Sequence, residues 1–118
     1  MLYKKPGLIL NAQDASASFT SDPVRIEGGR AHGIELSSSG GTHVGYIEVQ
    51  LSVTGDVWSS VQWNDDDLVN RKRIPLASGT ALAYVAQMDT NNVGGGVRYL
   101  RLKYTATSGT GTITATVA

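Results

Sequence analysis

The sequence contains no cysteine among its 118 residues, so it offers neither a disulfide framework nor a thiol nucleophile. No apolar run approaches the roughly 20 residues that a membrane-spanning helix needs. The apolar run Leu8-Ile9-Leu10 follows Pro6 and Gly7 and is too short for the hydrophobic part of a secretory signal. These absences predict a protein that is made and kept in a cytoplasm and is stabilised by packing or by partners.

An excess of charge of one sign is also missing. Ten basic and ten acidic residues give a formal net charge of zero at pH 7. Balanced charge provides no overall attraction to nucleic acid or to an anionic membrane, so neither is expected as a partner. A net charge near zero lowers the electrostatic barrier to self-association, which suits a protein that works as an assembly.

The sequence has few residues that are suited to catalysis. His32 and His43 have no partner at a recognisable catalytic or metal spacing, and each is interpreted as a lone surface or strand histidine. There is no Gly-x-Ser-x-Gly elbow. Gly94-Gly95-Gly96 precedes a strand pattern rather than a helix, which predicts a tight turn and not a phosphate-binding loop. We therefore expect no enzyme, no catalytic residue, no metal and no cofactor.

The charged stretch 64–73 leaves two interpretations open for each half. Asn64-Asp65-Asp66-Asp67 could supply oxygen ligands to calcium, but its spacing matches no EF-hand, and a solvated loop is the simpler interpretation. Asn70-Arg71-Lys72-Arg73 could contact an acidic partner or phosphates, or it could balance the preceding carboxylates within one loop. No series of aromatic residues alternates with these cations, which argues against single-stranded nucleic acid.

Trp58 and Trp63 bracket a short strand pattern. Their odd spacing places them on opposite faces of a regular strand, so one belongs to the core and the other lies outside it or near a loop. An exposed tryptophan can serve as a sugar platform or as an interface anchor.

The sequence is rich in short strand patterns separated by turn residues. From Tyr46 to Thr54, hydrophobic and polar residues alternate strictly, which predicts a strand with one buried face. The same period predicts these inward-facing sets: Ile47, Val49, Leu51 and Val53; Leu100, Leu102 and Tyr104; Ile113, Ala115 and Val117; Val24 and Ile26; Ile34 and Leu36; Val57 and Val61.

Residues 80–88 are alanine-rich and could form two helical turns, but the alternation of Leu82, Tyr84, Ala86 and Met88 favours a strand. The whole chain, residues 1–118, is predicted to be a single all-β domain. Its expected architecture is an antiparallel two-sheet sandwich, a jelly roll of about eight strands. Residues 1–12 are expected to form an extended N-terminal arm.

The last two strand patterns resemble a known family. Arg98-Tyr99-Leu100-Arg101-Leu102-Lys103-Tyr104, a Thr/Ser/Gly turn and then Thr110-Gly111-Thr112-Ile113-Thr114-Ala115 resemble the jelly-roll capsid cement, or decoration, proteins of tailed bacteriophages. Gly33-Ile34-Glu35-Leu36, Ile47-Glu48-Val49-Gln50-Leu51 and Thr80-Ala81-Leu82 agree with this pattern. The resemblance extends from Phe19 onward.

The resemblance implies a non-enzymatic virion protein, synthesised in the bacterial cytoplasm and placed on the capsid exterior. There it would bind the major capsid protein, bridge neighbouring subunits as a homodimer or homotrimer, and stabilise the shell. The matching positions are strand scaffold, so no binding residue is transferred. We expect protein contacts from the arm and the charged loop, with these candidates: Leu2, Tyr3, Lys4, Lys5, Asp65, Asp66, Asp67, Arg71, Lys72 and Arg73.

The alternative is a ligand-binding β-sandwich, such as a carbohydrate- or receptor-binding module of a tail fibre. Its marker would be an exposed Trp58 or Trp63 in a concave site beside the carboxylates of residues 64–67, with or without calcium.

Overall fold

Ten β-strands make up the described part of the computed structural model, which comprises residues 3–26, 31–60, 73–77, 83–89 and 96–118. The strands are β1 (Gly7–Asp14), β2 (Phe19–Thr20), β3 (Val24–Arg25), β4 (Ala31–Ser39), β5 (Val44–Ser52), β6 (Ser59–Ser60), β7 (Ile74–Ala77), β8 (Ala83–Asp89), β9 (Tyr99–Ser108) and β10 (Thr112–Val117). Among these residues there is no helix, and hence no helix that could cross a membrane. β8 confirms the strand interpretation of the alanine-rich segment from Ala83 onward, while residues 80–82 lie outside the described residues.

The strands form two antiparallel sheets. The first sheet has the order β1-β10-β4-β8. In the second sheet β9 and β5 pair with each other at the centre. β2 and β3 pair with the edge of β9 that faces away from β5, and β6 and β7 pair with the edge of β5 that faces away from β9. The pairs are nested along the chain, because β1 pairs with β10, β2 and β3 with β9, β4 with β8, and β5 with β6 and β7.

The hydrophobic core lies between the two sheets and follows the period-two pattern of the sequence. Leu100, Leu102 and Tyr104 of β9 are fully buried, and so are Ile113, Ala115 and Val117 of β10. The remaining fully buried strand residues are Val24, Ile34, Leu36, Ile47, Val49 and Ile74. Each large apolar side chain contributes about 1.5–3 kcal/mol through its burial. The predicted all-β antiparallel sandwich is therefore confirmed.

The alternation prediction is wrong at the end of β5. The hydroxyl of Ser52, the last residue of β5, accepts a hydrogen bond from the Gly55 amide at 2.7 Å. The chain turns there and leaves the strand period, so Val53 and Val57 are 60% and 76% exposed instead of buried. Val61 lies outside the described residues.

The expected arm over residues 1–12 is wrong for residues 7–12, which belong to β1 and pair with β10. Register shifts between Leu8 and Leu10 and between Leu10 and Gln13 interrupt the simple alternation. Ile9 and Leu10 are consecutive and both buried, a pattern that no regular strand produces. Such irregularities also make the free edge of β1 a poor template for pairing with another chain.

The β4–β5 connection and the β9–β10 turn pack against each other at one end of the sandwich. The amides of Thr42 and His43 both donate to the Thr110 carbonyl, each at 2.7 Å. Gly41 and Gly109 have φ values of 64° and 78°, and a Cβ on either would overlap the backbone of the facing turn. The two turns thus touch backbone to backbone, which requires glycine at both positions.

Candidate protein-interaction face

The outward side of the second sheet carries a continuous set of charged, aromatic and amide side chains. On β9, Tyr99, Arg101 and Lys103 point away from the core because the intervening residues point into it. Their cross-strand partners on β5 lie on the same side of the sheet. We call this surface the arginine–aromatic face; it consists of Arg25, Tyr46, Glu48, Gln50, Trp58, Arg73, Tyr99, Arg101 and Lys103.

Arg101 is at the centre of this face. Its guanidinium carbon lies 4.3 Å from the ring centroid of Trp58, and its Nε donates to Gln50 Oε1 at 2.7 Å. Gln50 is the direct cross-strand partner of Arg101, and the Trp58 indole N–H donates to the Gly55 carbonyl at 3.1 Å. Partial burial lowers the pKa of Arg101, although an arginine remains charged at neutral pH. These contacts hold the guanidinium in one orientation on the sheet.

Two longer contacts connect this cluster to β6. The Gln50 amide donates to the Ser60 hydroxyl at 3.4 Å, and that hydroxyl donates to Glu48 Oε1 at 3.5 Å. Both distances are at the weak end of hydrogen bonding. They nevertheless place Arg101, Gln50, Ser60 and Glu48 in one row of polar groups across three strands.

A second arginine–aromatic pair lies where β3 pairs with β9, at the edge of the sheet opposite to β6. Arg25 of β3 is the cross-strand partner of Tyr99, and its guanidinium carbon lies 5.2 Å from the centroid of the Tyr99 ring. The ring of Tyr3 packs on Tyr99 with a centroid distance of 6.0 Å and a tilt of 59°. The Arg25 amide donates to the Lys4 carbonyl at 2.9 Å, which brings the segment before β1 to the rim of the face.

The third pair joins Arg73 to Tyr46. The guanidinium carbon of Arg73 lies 4.3 Å from the ring centroid of Tyr46, and Arg73 is exposed. Tyr46 also pairs across the sheet with Pro75 of β7 and with Thr105 of β9. Three arginines on one face therefore each cover an aromatic ring.

Within the described residues, the arginines of this face form no ion pair. The ion pair that these residues contain joins Lys4 Nζ to Asp22 Oδ2 at 3.8 Å, and both side chains are largely exposed. Glu48 is the cross-strand partner of Lys103, but their charged atoms do not come within ion-pair distance. The arginine–aromatic face is therefore positively charged and not locally neutralised by the described residues.

The outward side of the first sheet is chemically different. Its described outward residues are Leu8, Asp14, Glu35, Ser37, Ser39, Thr112, Thr114 and Thr116. Hydroxyl groups dominate, two residues are acidic, and this set contains no cation and no aromatic ring. A backbone hydrogen bond from Ser16 at 2.8 Å lowers the pKa of Asp14, which keeps its carboxylate charged. Among the described outward residues, the first sheet is therefore acidic and the second sheet is basic.

His43 lies at the turn end of the sandwich, away from this face. Its side chain is fully buried, and neither Nδ1 nor Nε2 has a hydrogen-bond partner among the described residues. A Cβ at position 111 would overlap His43 Nδ1, so glycine there makes room for the ring. The expectation of a surface or strand histidine is wrong for His43, which is buried and lies in the connection just before β5.

No group of three or more histidine, aspartate or glutamate residues in the described ranges is placed to hold a metal ion. A cleft of about 150 Å³ lies between β1 and β2, and its lining includes Lys4, Phe19 and Asp22. Ligand pockets usually span about 300–1,000 Å³, so this cleft is small for an organic substrate. Its two charged residues pair with each other instead of converging on the space.

The candidate contact residues from the sequence are only partly described. Tyr3 and Arg73 lie at the arginine–aromatic face, Lys4 joins the rim through a 2.7 Å hydrogen bond from its amide to the Pro23 carbonyl, and Lys5 is exposed. The other contact candidates lie outside the described residues: Leu2, Asp65, Asp66, Asp67, Arg71 and Lys72. Residues 64–67, considered above as a possible calcium loop, lie outside them as well. Trp63 is also outside them, while Trp58 is half-buried.

Sequence reasoning missed most of the face. The alternation in β9 was sufficient to place Tyr99, Arg101 and Lys103 on one side, and this placement is confirmed. The stacking partners Trp58 and Tyr46 could not be predicted, because they depend on strand register and on a loop conformation that no local pattern encodes.

A comparison of the sequence with protein-family models finds no match, and a comparison with curated proteins finds none either. The interpretation of this chain therefore depends on its own fold and surface.

Proposed function

We propose that this protein is a jelly-roll capsid cement protein, a non-enzymatic module that binds the outside of a phage head and bridges major capsid subunits. The observation that supports it best is the combination of a two-sheet sandwich with the arginine–aromatic face. Arginine, tyrosine and tryptophan are the residues that most often dominate binding energy at protein interfaces. Their concentration on one ordered sheet favours docking to another protein.

The strand order supports the jelly-roll part of the proposal. Counting β2 with β3 and β6 with β7 as single positions reduces ten strands to eight, four in each sheet. Along the chain, β1 pairs with β10, β2 and β3 pair with β9, and β4 pairs with β8. This nested pairing is that of one long antiparallel hairpin folded over into two sheets. Eight strands in two such sheets are typical of jelly rolls.

Repetition is the physical basis of the proposed role. A protein on a capsid meets the same subunit surface many times, so an oligomer that contacts several subunits gains affinity through effective concentration. Neither a catalytic group nor a cofactor is needed for this role. The proposed partners are the major capsid protein and further copies of this chain, and the proposed location is the virion exterior after synthesis in the host cytoplasm.

The test is co-sedimentation of the purified protein with mature, DNA-free shells assembled from the major capsid protein of the same genome. We expect saturable binding, additional density on the shell exterior in electron micrographs, and a dimer or trimer by analytical ultracentrifugation. A monomer that stays in the supernatant at every shell concentration would contradict the proposal.

Glycan or receptor binding, as in a tail-fibre module, is the second candidate. The observation in its favour is that Trp58 is only half-buried and lies beside the polar groups of Arg101 and Gln50. However, Arg101 covers one side of the Trp58 ring, which reduces the surface on which a sugar could stack. Glycan-array binding that is lost in Trp58→Ala would favour this function over capsid binding.

A further inference from the structure

The described cations and anions on the outward faces of the two sheets are separated between the two sides of the sandwich. The arginine–aromatic face carries Arg25, Arg73, Arg101 and Lys103 against one carboxylate, Glu48. The described outward residues of the first sheet carry two carboxylates and no cation. The whole chain has a net charge of zero, so the positive charge of the face results from the placement of residues and not from composition.

The geometry of the arginines is suited to a particular kind of partner. Each of Arg25, Arg73 and Arg101 has its guanidinium over an aromatic ring, with centroid distances between 4.3 and 5.2 Å. Stacking restrains the plane of the guanidinium while its N–H edges remain available. In Arg101 the Nε is bonded to Gln50, and no described residue accepts from its two terminal nitrogens. A carboxylate can accept two parallel hydrogen bonds from such an edge.

We propose that the arginine–aromatic face binds a carboxylate-rich patch on a partner protein, with Arg25, Arg73 and Arg101 as its anchors. This inference builds on the proposed function by naming the surface that docks and the chemistry that it recognises. In the proposed role the acidic patch would belong to the capsid shell.

A protein carboxylate fits this face better than a nucleic acid. Attraction of a long polyanion depends on the field of the whole molecule. Here the net charge is zero, and the described outward residues of the first sheet are acidic. Short-range hydrogen bonds to a few carboxylates need only the local cations. The aromatic rings are covered by arginines, so they are less available for the base stacking that single strands require.

The first test needs no capsid. The ¹⁵N-labelled protein is titrated with an oligoglutamate peptide while the side-chain Nε signals of its arginines are followed by NMR. We expect saturable shifts of the Arg25, Arg73 and Arg101 signals, with little change on the first sheet. Oligothymidylate of equal charge serves as the comparison probe. No shift with oligoglutamate, or equal shifts with both probes, would overturn the proposal.

Variants then separate specific recognition from general attraction between charges. Arg101→Lys keeps the charge but loses the planar, bidentate edge, so affinity for the peptide should fall by about threefold to tenfold. Arg101→Gln should weaken binding at least as much. Arg98→Gln removes the same charge from an exposed arginine that is not part of the face and should leave the affinity unchanged within twofold. An equal effect of Arg98→Gln and Arg101→Gln would contradict the proposal.

The same variants in the shell assay distinguish failure of this inference from failure of the proposed function. If shells bind the wild type and both Arg101 variants equally well, the capsid role is supported and this docking surface is wrong. If the peptide binds as expected but no shell binds the wild type, the capsid role fails and the recognition of carboxylates is retained.

Discussion

His43 is fully buried at the turn end of the sandwich, yet neither of its ring nitrogens has a hydrogen-bond partner in the described part of the chain. A buried polar atom without a partner destabilises the folded state by about 1–3 kcal/mol. The surrounding backbone explains how the ring is enclosed: the His43 amide is bonded to Thr110, and Gly111 leaves space for the side chain. The space at this position therefore matches the size of an imidazole ring, but the described residues around it form no hydrogen bond with the ring nitrogens.

We predict that His43→Leu leaves the free energy of unfolding unchanged or raises it by up to about 2 kcal/mol, because it removes two unsatisfied nitrogens at similar volume. Urea unfolding followed by tryptophan fluorescence measures this difference. Gly111→Ala serves as the comparison, since its added Cβ would overlap His43 Nδ1 and should destabilise the fold. A loss of more than about 1 kcal/mol in His43→Leu would show that the imidazole contributes favourably.

Tyr104 is the largest fully buried side chain among the described residues, and its hydroxyl donates to the Ala15 carbonyl at 3.3 Å. Burial raises the pKa of its phenol above the ordinary value of 10.0. Above about pH 10 the unfolded chain releases this proton while the folded protein retains it. The contribution of Tyr104 to stability is therefore complete below about pH 10 and is lost as the pH rises toward the folded-state value.

We predict that Tyr104→Phe loses about 0.5–1.5 kcal/mol at neutral pH, the usual contribution of one hydrogen bond. The variant should also lose stability less steeply than the wild type between about pH 9 and about pH 11, because it lacks the phenol that titrates. Urea midpoints at several pH values test both parts. Parallel pH profiles for the two proteins would contradict the assigned role of burial.

At the scale of the element, β9 shows how one strand serves both the core and the surface. Its even-numbered residues from Leu100 to Tyr104 are fully buried, while Tyr99, Arg101 and Lys103 form part of the arginine–aromatic face. Both sets follow from the two-residue period of a strand, which is why the sequence alone predicted them. By contrast, β1 was missed, because its register shifts let consecutive residues face the core.

We predict that Leu102→Ala lowers the free energy of unfolding by about 2–5 kcal/mol, because it leaves a cavity between the sheets. The neighbouring Lys103→Ala is the matched control on the same strand. It should change stability by no more than about 0.5 kcal/mol, because its side chain is exposed. Thermal and urea unfolding measure the stability of both variants. Similar losses of stability in Leu102→Ala and Lys103→Ala would contradict the described orientation of β9.

At the scale of the whole molecule, the nested pairing makes the fold depend on contacts between distant parts of the chain. β10 lies between β1 and β4 in the first sheet, and Gly7 pairs with Val117 across nearly the whole sequence. β10 also supplies three fully buried residues to the core. Pairing of this kind has a high entropic cost of loop closure, and sandwiches built this way fold in about milliseconds to seconds.

We predict that deletion of residues 112–118 abolishes cooperative unfolding, because it removes the partner of both β1 and β4. Deletion of Ala118 alone should retain cooperative unfolding, since it removes a backbone hydrogen bond to Gly33 but leaves β10 intact. Dispersion of the amide signals in a two-dimensional NMR spectrum and a thermal melt distinguish the two outcomes. A folded, cooperatively melting 1–111 variant would contradict the assigned importance of β10.

By itself, the sequence was sufficient for the all-β class, for the strand nature of residues 83–89 and for the inward residues of β5, β9 and β10. These properties are local: the period of hydrophobic residues and the spacing of turn residues act within a few positions along the chain. The prediction was wrong where local geometry departs from the regular strand, as at Val53, Val57 and residues 7–12.

Only the tertiary structure decided which strands are neighbours, where His43 lies and which arginine covers which aromatic ring. Arg101 and Trp58 are far apart in sequence, and Arg25 and Tyr99 are farther still. Their proximity depends on sheet order, register and the conformation of one loop, all of which are set by the packing of two sheets around a common core. The arginine–aromatic face is therefore a property of the folded molecule.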